Sequence, residues 1–206
     1  MMTGAPSAAY EGLLYTVFQQ LRHAAAQEES CAPGQGLAVV FTSANSGEGV
    51  THTLEALVGG LARDQATRTV VVHSETLRGL TVSPSEIGAL CSSLPARAGS
   101  LAVLKPGGDG PHAWGGSWEY RRDVIEQLRK LFDYVLVDCA ALRESNDLLT
   151  LAPFVGGIIL VVEAGRTRRE QVLHAEKTIQ FAQGKLLGHI LNKRSYVVPE
   201  WIYRHL

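Results

Sequence analysis

Charge imbalance, a cysteine framework and any long apolar run are all missing from this chain. Formal net charge is -1 over 206 residues, so no basic face is implied and nucleic acid is excluded as a partner. The three cysteines, Cys31, Cys91 and Cys139, are far apart and odd in number. They supply neither a metal-ligand pair nor a disulfide framework, and they suit a reducing compartment. The longest apolar stretch, Phe154 to Val162, carries two glycines and falls well short of the ~20 residues that span a bilayer. The N-terminus, Met1-Met2-Thr3-Gly4-Ala5-Pro6, lacks the basic start and apolar run of an export signal. The expectation is a cytoplasmic protein that reaches a membrane only through a partner. What is present, 46% hydrophobic and 19% charged residues, is ordinary for one folded domain with a sizeable core.

Short apolar runs alternate with segments of helical periodicity. Ala8 to Ala25 places Leu13, Leu14, Val17, Phe18 and Leu21 at helical spacing, and the polar, proline-bearing stretch Gln27 to Gly36 reads as a linker. Strands are expected at Leu37 to Phe41, Thr69 to His73, Tyr134 to Asp138, Gly157 to Val162 and Leu186 to Leu191, with a short one at Leu101 to Leu104. Helices are expected over Thr51 to Arg63, Trp118 to Leu131 and Thr167 to Gln183, and Leu77 to Gly116 reads as a long irregular insertion. Uninterrupted apolar strands alternating with helices imply an α/β fold: a doubly wound, mainly parallel sheet with helices on both faces, in three layers. The chain is expected to be a single domain over 1–206, with 1–36 as N-terminal helix and linker and 193–206 as a C-terminal tail. Such sheets bind ligands at the carboxyl ends of their strands. That edge gathers the 43–52 loop, His73 to Arg78, Asp138 to Ala141, Glu163 to Arg169 and Asn192 to Arg194.

Ala44 to Thr51 follows the spacing G-x-x-x-x-G-K-[ST], with alanine at the first glycine and Val50 at the lysine. In such a loop Gly47 and Gly49 let backbone N–H groups turn inward around phosphate oxygens. The following helix adds its positive end, and Thr51 stands where a hydroxyl ligates magnesium. A Gly/Ser turn between strand and helix is the plainer reading of the loop by itself. On the phosphate reading, the nucleotide contacts are Ser43, Asn45, Ser46, Gly47, Glu48, Gly49, Val50, Thr51 and His52.

Thr42 to Gly49 resembles the loop of the bacterial tyrosine autokinases and their polysaccharide co-polymerase relatives, which read roughly TSxxPGEGKS. Further matches follow in the same order. Val72-His73-Ser74-Glu75-Thr76-Leu77-Arg78 stands where the family has an IDADLR-like segment, and Phe132 to Ala141 is similar to its YDYVIIDTPP. Asp147 to Glu170 is similar to a DAxxLAPxxDGVLLVVRAGxTRRE-like run, and Gly188 to Lys193 to GVVLNR. The resemblance implies a P-loop fold binding ATP or ADP with magnesium held by Thr51 and Asp138. It places Asn192 against adenine, although a strand-end turn residue is an equal reading. It also implies a partner, the inner-membrane protein controlling exopolysaccharide chain length and export, and homo- or hetero-oligomers.

The departures weaken the chemistry. Val50 carries no charge and donates no hydrogen bond; losing such a charge-assisted contact costs roughly 1.5–3 kcal/mol. His73 and Glu75 stand where the family has two aspartates, and imidazole is a poor magnesium ligand. Of the family's catalytic positions, His73, Glu75 and Asp138, Asp138 alone keeps its carboxylate type and position. Arg78, Arg166, Lys193 or a neighbouring chain are candidates for a substitute cation. Arg166, Arg168 and Arg169 read either as a solvated helix start or as phosphate contacts. The first-helix pattern of the family falls on Ala8, Glu11 and Leu14, and its tyrosine cluster is reduced to Tyr196 and Tyr203.

The leading expectation is a regulatory or partner subunit of exopolysaccharide or capsule assembly with weak or no ATP turnover. One alternative is an active tyrosine autokinase using a displaced basic residue. Others are a transition-metal site built from Thr51, His52, His73, Glu75 and Asp138, and a partition-type or septum-positioning ATPase.

Overall fold

In the computed structural model, residues 35–61, 67–79, 101–104 and 117–194 are described, together with Thr16, Val17, Gln19, His23, Glu86 and Ile87. Tyr196 and Tyr203, Ala8, Glu11 and Leu14, Cys31 and Cys91, the side chain of Arg78 and most of the 77–116 insertion lie outside the described residues. The described positions of the expected N-terminal helix are helical, and Val17 is buried in the core.

The elements are β1 (Leu37–Ser43), α1 (Val50–Leu61), β2 (Thr69–His73), α2 (Ser74–Gly79), β3 (Leu101–Leu104), α3 (Trp118–Leu131), β4 (Tyr134–Asp138), α4 (Asp147–Leu151), β5 (Gly157–Glu163), α5 (Arg169–Phe181) and β6 (Leu186–Asn192). A 3₁₀ turn, Ala152–Phe154, separates α4 from β5. The strands form one six-stranded sheet in the order β3-β2-β4-β1-β5-β6, and every pairing is parallel.

Side-chain alternation splits the core between the two faces of the sheet. Ala38, Val40, Val70, Val72, Val135, Val137, Ile158 and Leu160 face one side and meet Val124, Ile125 and Leu128 of α3, Leu148 and Leu151 of α4, and Ala175 and Ile179 of α5. Leu37, Val39, Phe41, Leu136, Ile159 and Val161 face the other and meet Val50, Leu54, Leu57 and Val58 of α1. The α1 spacing of i, i+4, i+7 and i+8 is one helical face. Helices therefore cover both sides, as the uninterrupted strand runs imply, in a three-layer α/β/α arrangement. Val50, at the position of the missing lysine, is a core residue.

Strand register sets the functional edge. His73 pairs with Asp138 across β2 and β4, and Phe41 pairs with the same Asp138 across β1 and β4. Glu163 pairs with Asn192 across β5 and β6. The strands run slightly further than their apolar runs suggest: β1 ends at Ser43, β5 at Glu163 and β6 at Asn192. Helix α5 starts at Arg169 rather than Thr167, because Ala164 to Arg166 form a turn and the Thr167 hydroxyl accepts the Glu163 N–H at 3.2 Å. Neither α2 nor α4 is expected from periodicity; elements of one or two turns hold too few residues to show a repeat.

Polar pins fix α3. The Ser117 hydroxyl caps its start, accepting the Tyr120 N–H at 3.2 Å. Arg129 donates to the Gly36 carbonyl at 2.8 Å, guiding the chain into β1. Arg121 is buried and donates to Asp147 at 3.1 Å and to the Thr150 hydroxyl at 2.9 Å, tying α3 to α4. Removing the carboxylate leaves a buried guanidinium without its ion-pair partner, so Asp147→Ala should cost about 3–5 kcal/mol. Urea unfolding checks this, with Asp123→Ala, at a solvent-exposed pair, expected to leave the midpoint nearly unchanged.

Candidate functional site

The loop between β1 and α1 is shaped by two glycines and one buried carboxylate. Gly47 and Gly49 have φ of 78° and 94°, a region glycine enters at little cost. A Cβ on Gly49 would lie 2.2 Å from Asn192 Nδ2, so the close approach of β6 also demands glycine. Glu48 is only 2% exposed. Its Oε2 accepts the N–H groups of Ala44 at 3.0 Å and Asn45 at 3.2 Å, while Oε1 accepts from Asn45 Nδ2 at 2.9 Å and from the Thr167 hydroxyl. Asn45 Oδ1 in turn accepts from Arg143 at 3.3 Å and Gln171 at 3.1 Å. The first half of the loop is thus stitched to the turn after β4 and to the start of α5.

The second half is held from β6. Asn192 Nδ2 donates to the carbonyls of Glu48 at 2.9 Å and Gly49 at 3.4 Å, and the Lys193 ammonium donates to the Gly47 carbonyl. Three consecutive loop carbonyls therefore face the end of β6. In a trans peptide the N–H points opposite to its carbonyl, so the N–H groups of Glu48, Gly49 and Val50 face the other way, at the N-terminus of the 12-residue helix α1. That is the arrangement of an anion cradle.

Beside it, the Thr51 hydroxyl donates to Asp138 Oδ2 at 2.7 Å, and His73 Nδ1 lies 3.2 Å from the same oxygen. Burial pushes the Asp138 carboxyl above the usual carboxylate range, against the opposing pull of Thr51 and His73. A hydroxyl and a carboxylate at this spacing suit magnesium, which takes few protein oxygens and completes its shell with phosphate and water. The His73 nitrogen does not suit it. Among the described residues no group of three or more His, Cys, Asp or Glu side chains is placed to hold a metal. The transition-metal set therefore does not assemble: His52 is exposed on α1 and Glu75 is exposed on α2.

Several expected contacts take different positions. Asn192 is neither a simple turn residue nor free for a base; its amide is committed to the loop, and its Oδ1 accepts the Lys193 N–H at 2.8 Å. The Glu48 side chain faces the loop interior, leaving only its backbone to a ligand. The Val50 side chain turns into the core. Ser43 donates to the Asn45 carbonyl at 2.9 Å, and Ser46 sits exposed at the loop tip. Arg166, Arg168 and Arg169 are exposed, as a solvated helix start requires. The loop-bracing roles of Thr167, Gln171 and Arg143 have no signature in the motif. A cavity of about 390 Å³, lined by Leu142, Arg143, Gln171, His174 and Ala175, shares only Ala44 with the loop and lies away from Thr51 and Asp138.

A parallel sheet, a glycine loop opening a helix, a hydroxyl at the helix start and a carboxylate at the end of β4 define a P-loop NTPase-like domain. No family model matches the chain. The tyrosine-protein kinase CpsD of Streptococcus agalactiae serotype Ia is 29% identical over 181 residues, covering 79% of this chain and 77% of that protein. The succinoglycan biosynthesis transport protein ExoP of Rhizobium meliloti is 47% identical over 74 residues, which are 34% of this chain and 9% of ExoP. The kinase domain of the Escherichia coli tyrosine kinase ETK superposes with a TM-score of 0.63 at 20% identity, covering 97% of this chain and 85% of that one. The septum site-determining protein MinD of Pyrococcus horikoshii, solved with Mg-ADP, gives 0.57 at 17% identity over 82% of this chain and 76% of that one. The chain is similar to bacterial tyrosine-protein kinases and has the fold of their kinase domains, with valine at the lysine position of the loop spacing.

The raised folded-state pKa of Asp138 means that its ionised form is a net cost at neutral pH. Its favourable contribution is complete below the ordinary carboxylate range and is lost as pH rises through the raised value. Asp138→Asn should therefore raise the melting temperature at pH 7 and lose that advantage below about pH 4. Thermal melts across this range check it, and a lower melting temperature for the variant at pH 7 would refute it.

Proposed function

We propose that this chain is a cytoplasmic regulatory or partner subunit of exopolysaccharide or capsule assembly, with a tyrosine-autokinase-like pocket that binds nucleotide weakly and turns over little or no ATP. One observation carries the reading: the backbone cradle is intact while the side chain at its lysine position, Val50, is buried in the core. Phosphoryl transfer relies almost wholly on electrostatic positioning of the transferring group. Val50 supplies no charge, and His73 replaces a carboxylate beside Asp138. Ground-state binding depends less on any single group. The N–H cradle and helix end remain for the phosphates of ATP or ADP, and Thr51 with Asp138 would hold magnesium alongside them. The name of ExoP, a succinoglycan biosynthesis transport protein, supports a setting in polysaccharide export. No described helix is long and apolar enough to cross a membrane, and an inner-membrane chain-length regulator is the partner that would bring the subunit to the membrane, in a homo- or hetero-oligomer.

A second reading, an active tyrosine autokinase, is favoured by the Lys193 ammonium on the Gly47 carbonyl. It requires phosphate on Tyr196 or Tyr203 of the purified protein, visible by mass spectrometry.

Calorimetry with ATP and magnesium, beside ATPase and autophosphorylation assays, separates the two. The expected result is weak binding without turnover, and magnesium-dependent turnover abolished by Asp138→Ala would overturn the subunit reading. Val50→Lys should tighten ATP binding by about one to two decades, its stem lying where valine now packs and its ammonium reaching the cradle.

A further inference from the structure

We propose that Lys193 is the binding cation of the loop, acting on the phosphates of a nucleotide from the β6 side, and that Glu163 is the carboxylate that competes for it. This rests on the reading of the loop as a nucleotide-phosphate cradle.

Four observations converge on Lys193. It has φ of 55°, a conformation costly for a residue with a side chain and kept only where the surroundings impose it. Here Asn192 Oδ1 holds its N–H at 2.8 Å, and the β5–β6 register sets Asn192 beside Glu163. Its ammonium sits on the Gly47 carbonyl, at the rim of the loop whose opposite side carries the cradle N–H groups. Its side chain is 45% exposed, so turning toward an anion meets no burial cost.

The charge is nonetheless checked. Glu163 Oε2 lies 3.2 Å from Lys193 Nζ and 3.3 Å from Arg166 Nη1, so one carboxylate oxygen neutralises two cations beside the loop. Arg143, a further cation at the loop, donates to Asn45 Oδ1. An anion seated in the cradle competes with Glu163 for Lys193, and that competition sets the affinity. The arrangement serves ground-state binding, since Lys193 approaches over the Gly47 carbonyl rather than from within the loop.

The test is titration of the whole protein with a fluorescent ADP analogue in magnesium-free buffer at two salt concentrations, with thermal melts confirming that each variant folds. Lys193→Met, which keeps the stem and removes the charge, should weaken binding about tenfold and flatten its salt dependence. Lys193→Arg should retain binding. Glu163→Gln should tighten it several-fold. Tightening that disappears when Lys193→Met is added to Glu163→Gln is the decisive sign, because losing a carboxylate by itself favours any anion nearby, and tightening that persists in the double variant overturns the proposal. If Glu163→Gln weakens binding or leaves it unchanged, the proposal fails while nucleotide binding stands. If the wild-type protein binds no nucleotide at either salt concentration, both fail. Should Lys193→Met not fold, Lys193→Gln takes its place in both the single and the double variant.

Discussion

The carboxylate of Glu48 is the group around which the site is organised. Buried within its own loop, it accepts two backbone N–H groups, an amide and a hydroxyl. An ionised carboxylate out of water is tolerated only with such complete pairing. Its donors come from the loop itself and from Thr167 ahead of α5, so the loop closes on an internal anion rather than on a ligand. The carbonyls of Gly47, Glu48 and Gly49 are then taken up by Asn192 and Lys193. Held from within and from β6, the loop takes none of these braces from the side chain at position 50.

That independence explains how the valine is accommodated. The residue at position 50 opens α1, and its side chain has a choice between the cradle and the space above Leu54 and Leu57. A lysine must send its ammonium to the cradle; a valine is drawn into the core by the hydrophobic effect, where it meets Leu54, Phe41 and Val161 in one cluster. The substitution removes charge from the site and adds apolar surface to the interior. The same separation holds at Asp138, where the Thr51 hydroxyl and His73 share one carboxylate oxygen. A hydroxyl and a carboxylate are set together there, with an imidazole nitrogen beside them.

The layers and the functional edge were readable in the chain because buried parallel strands write themselves as unbroken apolar runs and helices as a 3.6-residue period. Val70-Val71-Val72 and Val135-Leu136-Val137 leave little choice, and the rule that ligands gather at strand carboxyl ends brought His73, Asp138, Glu163 and Asn192 together in advance. Side-chain direction was another matter. Glu48 and Val50 sit within the motif as if both faced a ligand, yet one turns into the loop and the other into the core. Asn192 carries an amide suited to a base, yet spends it on two carbonyls. These choices depend on contacts between residues more than a hundred positions apart, such as Thr167 with Glu48 and Asn192 with Gly49, and no local pattern encodes them. The short α2 and α4 were missed for a different reason: a single helical turn with one or two buried leucines has no period to detect.

The site combines left-handed glycines, a lysine at φ of 55° and a raised carboxyl pKa at Asp138. The lysine backbone and the buried carboxyl each cost stability, whereas the glycines enter their region at little cost. Position 50 brings no cation into the loop, while Glu48, Asn192 and Lys193 hold its backbone in shape. The proposed reading, a phosphate-bearing ligand bound with little or no transfer, rests on that combination of a shaped backbone and an uncharged residue at position 50.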